Sequence, residues 1–248
     1  MADTGRTEIN SRTLKGAVRL FANTGEKEEL MGNKLIIAID GPAGAGKSTV
    51  ARIIADIFDC EYIDTGAMYR AIAYKCVQRL IDLDDDEELH DLLDETEVAF
   101  KDKKILLDGR PVENEIRTPK ISSIVSKVAE KKAVREKLIE AQRKIGEEVS
   151  VVMDGRDIGT QVFPDAQFKF FVTASVDERA DRRYKELIQK GYDASKIEIY
   201  HEIKNRDEYD TNRTLNPLRK APDAILIDTT KRTINDVVNE ICERIRRS

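Results

Sequence analysis

Residues 34–40 (KLIIAID) form a continuous apolar run, the pattern of a strand buried on both faces. A glycine-rich turn follows. Over 47–58, Val50, Ala51, Ile53, Ile54, Ile57 and Phe58 fall on one helical stripe. The pattern then predicts a short strand at 61–64, a helix at 67–80 and an acidic helix at 84–93. Between 95 and 113 the period changes. Val98, Phe100, Ile105, Leu107 and Val112 alternate or cluster at strand spacing, and Asp108-Gly109 is a hairpin-turn signal. This predicts a small antiparallel sheet inserted into the chain. Helices are expected at 119–130 and 132–148, core strands at 149–154 and 167–172, and a charged helix at 178–190. Residues 196–212 are polar and charge-dense, with Pro217 and Pro222 beyond them; a last strand at 224–228 and a closing helix at 234–246 complete the pattern. Strands alternating with helices predict a three-layer α/β fold with a mostly parallel central sheet. Residues 1–33 are polar, contain Gly5, Gly16, Gly25 and Gly32, and lack periodicity. They read as a loose N-terminal extension, so a chain starting at Met31 is expected to keep full activity.

Charge changes the picture in one respect. Acids outnumber bases 47 to 42, a net charge of −5. That argues against a general nucleic-acid or membrane-surface binder, which relies on excess Lys and Arg. Any anionic ligand must be held by cations gathered locally. Cys60, Cys76 and Cys242 are scattered, and His90 and His201 lie far apart, so neither a disulfide framework nor a zinc site is indicated. No apolar run is long enough to span a bilayer. The stretch 14–22 is broken by Lys15 and Arg19, which makes a poor signal-peptide core. A reducing cytoplasm is the default location.

The first chemical motif is Gly41-Pro42-Ala43-Gly44-Ala45-Gly46-Lys47-Ser48, followed by Thr49. It matches GxxxxGK[ST] at every fixed position, after a buried strand and before an amphipathic helix. The glycines let successive N–H groups curl inward as an anion nest, and the helix N-terminus adds its dipole. Lys47 places a charge on the β- and γ-phosphates, and the Ser48 hydroxyl suits Mg²⁺. A ligand-free glycine turn would not need strand, Lys, Ser and helix all in register. The motif specifies nucleoside triphosphate binding and says little about an acceptor. A GTPase-type switch would need an NKxD-like segment; the nearest, Lys204-Asn205-Arg206-Asp207, has the wrong order.

Three further constellations point to an acceptor. In 64–70 (DTGAMYR), Thr65 and Gly66 open a helix and Arg70 follows one turn later, so a hydroxyl and a guanidinium can converge on one phosphate ester. Spacing alone fits a helix capped by Thr65 equally well. Asp154-Gly155-Arg156-Asp157 follows an apolar strand, whose end should face the ligand crevice. Arg156 is placed there to hold an acceptor phosphate with Arg70; the alternative is a surface turn with an internal Arg–Asp pair. Arg206, Asp210 and Arg213 are spaced i, i+4, i+7 and are expected on one helical face. A solvated charge run has an equal claim on that spacing.

Together these segments resemble the nucleoside monophosphate kinases, and the bacterial cytidylate kinases closely. The matching stretches are IDGPAGAGKST at 39–49, DTGAMYR at 64–70, EIRT at 115–118, DGRDIGT at 154–160, FPDA at 163–166 and the Arg/Asp pattern at 206–213. They occur in family order and cover 34–248. The small β-insert before EIRT is similar to the one that separates these enzymes from adenylate kinases. Residues 1–33 have no counterpart. Thr65 stands where many members have Ser, and Tyr209 and Thr211 where related chains can carry Arg, which makes the phosphate clamp less basic.

The resemblance implies a P-loop fold with core segments at 34–64, 150–179 and 223–248, an acceptor-binding insert at 65–149 and a helical lid at 180–222. It implies transfer of the γ-phosphate of ATP to CMP or dCMP, with Mg²⁺ accompanying ATP at Ser48. Residues 41–49 would bind ATP, and Lys47, Arg156, Arg206 and Arg213 would act on the transferring group. Thr65, Gly66, Tyr69, Arg70, Ser126, Arg135, Arg156, Asp157, Arg206, Asp210 and Arg213 would hold the acceptor, with Ser126 and Arg135 near the base. A cytoplasmic monomer without nucleic-acid or membrane partners is implied. A kinase for another monophosphate, UMP first, and a nucleotide-binding switch without transfer stay open.

Overall fold

The computed structural model describes residues 34–247; the expected loose extension at 1–33 lies outside the described residues. Strand β1 (Ile36–Asp40) leads through the glycine turn into helix α1 (Lys47–Phe58), and β2 (Glu61–Asp64) runs directly into α2 (Thr65–Arg79). Helix α3 (Asp86–Asp94) precedes a three-stranded antiparallel sheet, β3 (Val98–Lys101), β4 (Lys104–Leu107) and β5 (Arg110–Pro111). A 3₁₀ turn (Glu115–Arg117), α4 (Pro119–Glu130) and α5 (Lys132–Glu148) return the chain to the main sheet. There β6 (Val151–Gly155), a π-helical turn (Ile158–Val162) and β7 (Phe168–Thr173) follow. The chain then forms a helical pair, α6 (Val176–Gln189) and α7 (Lys196–Asn212), and ends with β8 (Ile225–Asp228) and α8 (Ile234–Arg246).

The main sheet is parallel throughout, in the order β2-β6-β1-β7-β8. Its central strands β6, β1 and β7 are buried on both faces, and their side chains alternate between two cores. Ile37, Ile39, Val152, Phe170 and Val172 pack against the apolar stripes of α1 and α8. Ala38, Val151 and Met153 face the other side, toward α2, α4 and α5. That second core runs on without a break into Leu89 and Leu92 of α3 and Ile105 and Leu107 of the small sheet. Fully burying a side chain such as Phe170 or Ile37 contributes about 1.5–3 kcal/mol. A third, separate cluster of Ala180, Ile199 and Ile203, backed by Val176, Tyr184 and Leu187, joins α6 to α7.

Two expectations shift in detail. Helix α2 starts at Thr65, because the Asp64 carboxylate accepts the Ala67 N–H and caps it. Thr65 is therefore not the cap. The polar stretch 196–212 is a full helix, capped by Ser195 and carrying Ile199 and Ile203 on one stripe. The Asp108-Gly109 turn forms as expected, both residues with positive φ.

Candidate active site

Strands β1, β2 and β6 end at one rim of the sheet, and there a cavity of about 610 Å³ opens between the glycine turn, α2, α4, the β6 end and the α6–α7 pair. Among the described residues, nine cations and five acids line it, so cationic charge is concentrated here in an acidic chain.

At one end lies the glycine turn. Ala43, Gly44, Gly46, Lys47, Ser48 and Thr49 reach the cavity wall, while Gly41, Pro42 and Ala45 are buried beneath it. Gly41 is obligatory in this arrangement: its φ is +146° and a Cβ there would lie 1.9 Å from the Val172 carbonyl oxygen. The Lys47 ammonium is folded back to donate to the Pro42 carbonyl at 2.8 Å. Burial, with Arg156 nearby, pushes its pKa down to about 7 against the pull of Asp154 and Asp40. Ser48 Oγ donates to Asp154 Oδ2 at 2.7 Å, and the Tyr62 hydroxyl donates to Oδ1 at 2.9 Å. Burial and the charge of Asp64 raise the Asp154 carboxyl, and Lys47 and these two donors oppose the rise.

At the other end stand all the acceptor candidates named from the sequence: Thr65, Gly66, Tyr69, Arg70, Ser126, Arg135, Arg156, Asp157, Arg206, Asp210 and Arg213 line the same cavity. Arg70 is not a loose charge. It pairs with Asp64 at 3.0 Å, and Arg117 joins the same oxygen at 3.2 Å. Burial raises the Asp64 carboxyl, but the two guanidinium groups outweigh it and hold the pKa below the ordinary range. The Thr65 hydroxyl donates to the Asp154 carbonyl at 2.7 Å, beside Arg70 on the cavity wall.

Asp157 is the centre of a buried trio. Arg135 forms an ion pair with it and lies over the Tyr69 ring at 5.5 Å, and Arg213 Nη2 stands 3.6 Å from its other oxygen. Arg156 donates through Nε to Asp210 at 2.8 Å. Burial raises the Asp210 carboxyl, and Arg156, Arg206 and Arg213 together bring it below its usual value. Burial and Arg156 push the Arg206 guanidinium down to about 10. As the spacing predicts, Arg213 stays on the face of Arg206 and Asp210: it caps α7 with its N–H still donating to the Tyr209 carbonyl at 3.1 Å and a helical φ of −59°, and all three line the cavity. Arg213 has an extended ψ of 142°, its Nε donating to Asn216 at 2.7 Å. Among the described residues, Nε of Arg70, Arg135 and Arg206 and Nη2 of Arg213 are buried with no hydrogen-bond partner. All four belong to arginines of this wall, and such donors call for acceptor-rich groups.

The sequence match settles the family. The profile described as cytidylate kinase covers residues 37–247. This chain belongs to the cytidylate kinase family. The cytidylate kinase of Clostridioides difficile (strain 630) is 52% identical over 215 residues, 87% of this chain and 99% of that protein. The cytidylate kinase of Bacillus subtilis (strain 168) is 49% identical over 219 residues, 87% of this chain and 98% of that one. That of Carboxydothermus hydrogenoformans is 50% identical over 215 residues, 85% and 97%.

Within this cytidylate kinase family member, several cavity residues escaped the reading from sequence. Asp64, Asp154 and Arg117 lay inside quoted segments but were given no role of their own. Arg182 and Arg183, also on the wall, come from the charged run 178–183 of α6. Arg182 donates to the Thr229 hydroxyl at 3.0 Å, and Thr229 in turn donates to the Ala45 carbonyl of the glycine turn at 3.1 Å. Arg179 is a strut: it grips Asp207 of α7 with both Nη atoms, at 3.0 and 2.6 Å, and donates to the Ala43 carbonyl at 3.1 Å. The Arg spacing in α6 was the available signal, and it resembles any solvated helix face.

Proposed function

We propose that the chain transfers the γ-phosphate of ATP to CMP or dCMP, giving CDP or dCDP and ADP. The observation that carries this reading is the buried trio of Arg135, Asp157 and Arg213 at the acceptor end, with Tyr69 against it and Ser126 on the same wall. Cytosine offers an amino donor at N4 and acceptors at N3 and O2. Guanidinium donors facing N3 and O2, with a carboxylate or hydroxyl oxygen facing N4, match it. Uracil presents an acceptor at O4 and a donor at N3, and meets the same groups with two mismatches.

The glycine turn then takes the triphosphate on its N–H groups, with Lys47 turning from Pro42 to the β- and γ-oxygens. The residues present fit Mg²⁺ carried with ATP: the Ser48 hydroxyl and the Asp154 carboxylate are hard oxygen donors 2.7 Å apart on the cavity wall. When bound, the ion neutralises charge on the β- and γ-phosphates. Arg70, Arg156 and Arg206 hold the acceptor phosphate in line and balance charge on the transferring group. The α6–α7 pair closes the site against water, which suppresses hydrolysis. Transfer is direct, with no protein nucleophile. On this reading 65–149 is the acceptor-binding insert, 180–222 the lid, and 34–64, 150–179 and 223–248 the core. A cytoplasmic monomer belongs to the same proposal; among the described residues no helix is long and apolar enough to cross a membrane.

A coupled ADP-release assay with CMP, dCMP, UMP, AMP and GMP tests the proposal. Turnover concentrated on CMP and dCMP supports it. ADP release that is unaffected by any monophosphate contradicts it and favours the nucleotide switch.

A further inference from the structure

Asp40 closes β1 one residue before the glycine turn, and the chemistry above gives it no task. It is 5% exposed and lies behind the cavity wall. Its two oxygens accept the N–H groups of Ile158 and Gly159, each at 2.8 Å. These N–H groups open the turn Ile158–Val162, where no preceding residue of a helix can satisfy them. The turn is π-helical: Val162 N–H donates to the Asp157 carbonyl at 3.3 Å and Phe163 N–H to Ile158 at 2.7 Å. Such turns are rare and concentrate at functional sites. Its far end is gripped from α5, where Arg143 donates through Nε to Val162 at 3.0 Å and through Nη2 to Gln161 at 2.7 Å.

The clamped turn grows directly out of Arg156 and Asp157. A neutral Asn or Ser at position 40 would offer an acceptor to one N–H without a charge to bury. The carboxylate presents a separate oxygen to each N–H. A Cβ at Gly159 would lie 3.4 Å from Asp40 Oδ2 and 3.2 Å from Lys169 Cδ, so glycine lets the turn sit close against both. Burial pushes the Asp40 carboxyl up to about 7 despite the two N–H bonds, so holding it there is costly. A position that is costly and supplies no ligand contact is explained by what it orients.

We propose that Asp40 is a positioning residue for the acceptor half of the site: with Arg143 it clamps the π-helical turn 158–162, and so fixes Arg156 and Asp157 relative to the phosphate cradle that Asp40 itself precedes. The proposal rests on reading Arg156 and Asp157 as acceptor-binding. It ties the two substrate halves through one side chain at the end of β1.

Two variants of the full-length chain test it. Asp40→Asn keeps the shape and one acceptor but sets an amide N–H against the other N–H. Arg143→Met removes the far clamp from an exposed position and leaves the buried carboxylate alone. Each is measured for amide exchange over 157–163, for KM of ATP, and for KM and kcat with whichever pyrimidine monophosphate the wild type prefers. Exchange should rise by about tenfold or more in both variants. The acceptor KM should rise roughly 5–20-fold in Asp40→Asn and roughly 2–5-fold in Arg143→Met, with the ATP KM within about twofold. An ATP KM that rises as far as the acceptor KM would show that Asp40 merely supports the glycine turn and would overturn the proposal. So would raised exchange with an unchanged acceptor KM. If Asp40→Asn does not fold, Arg143→Met decides by the same readings. A wild type that prefers another monophosphate to CMP would refute the base assignment, while the split between acceptor and ATP would still judge the clamp.

Discussion

At the scale of single residues, the site works by holding charges where they are uncomfortable until a ligand arrives. Lys47 shows this most clearly. Its folded pKa of about 7 lies below the ordinary 10.5, so the native state disfavours its protonated form. That cost is fully present below about pH 7 and disappears as pH rises toward the ordinary value. Lys47→Met should therefore gain melting temperature relative to wild type near about pH 6, and lose that advantage near about pH 10. A difference that stays flat or grows with pH, followed by calorimetry, would contradict the assignment. The same lysine is expected to carry the chemistry: Lys47→Ala should cut turnover by a factor on the order of 10² or more with the fold intact. Circular dichroism and ADP release check both parts. Lys47 and Ser48 were legible because their motif is local. Asp154 and Asp64 were not, because each earns its role only through partners far along the chain: Ser48, Tyr62 and Lys47 for Asp154, Arg117 for Asp64. Nothing in a single chain read by spacing brings residues 48, 62 and 154 together.

At the scale of elements, the α6–α7 pair is anchored to the cradle. It has its own small core, and Arg179 bolts Asp207 of α7 to the Ala43 carbonyl of the cradle. Arg206 sits beside that bolt on the same helix. Arg206→Ala should lower kcat more than it weakens ATP binding, because its charge is needed when the phosphoryl group moves. If only the KM for ATP rose, the lid role of α7 would be wrong. Asp207→Ala should show a smaller version of the same pattern, since it removes a bidentate, charge-assisted pair without touching the cavity arginine. A steady-state comparison of the two variants tests the order. Helix α7 was hard to read because only Ile199 and Ile203 are buried among many charges, so its apolar stripe is too thin to show a period. The π-helical turn left no sequence signal, since its bonds depend on Asp40 and Arg143 from other elements. Strands β1, β6 and β7 were plain because burial on both faces demands unbroken apolar runs.

At the scale of the molecule, a chain of net charge −5 holds a pocket dominated by arginine, and the parallel sheet explains how. Ends of β1, β2 and β6 meet at one rim, so three loops and the helical pair can each contribute cations to a single volume. The sheet and residues 89–107 share one continuous core, while the helical pair packs mainly on itself. The central claim is that the trio of Arg135, Asp157 and Arg213 reads cytosine. Each buried mispairing costs about 1–3 kcal/mol, so two mismatches with uracil give discrimination on the order of 10² or greater. The direct measurement is kcat/KM for CMP and for UMP, in the wild type and in Arg135→Ala. The account requires CMP to lead by that margin in the wild type, and the lead to narrow in Arg135→Ala because CMP slows more than UMP. Equal rates on CMP and UMP in the wild type would contradict it, and the trio around Asp157 could then no longer be the base reader.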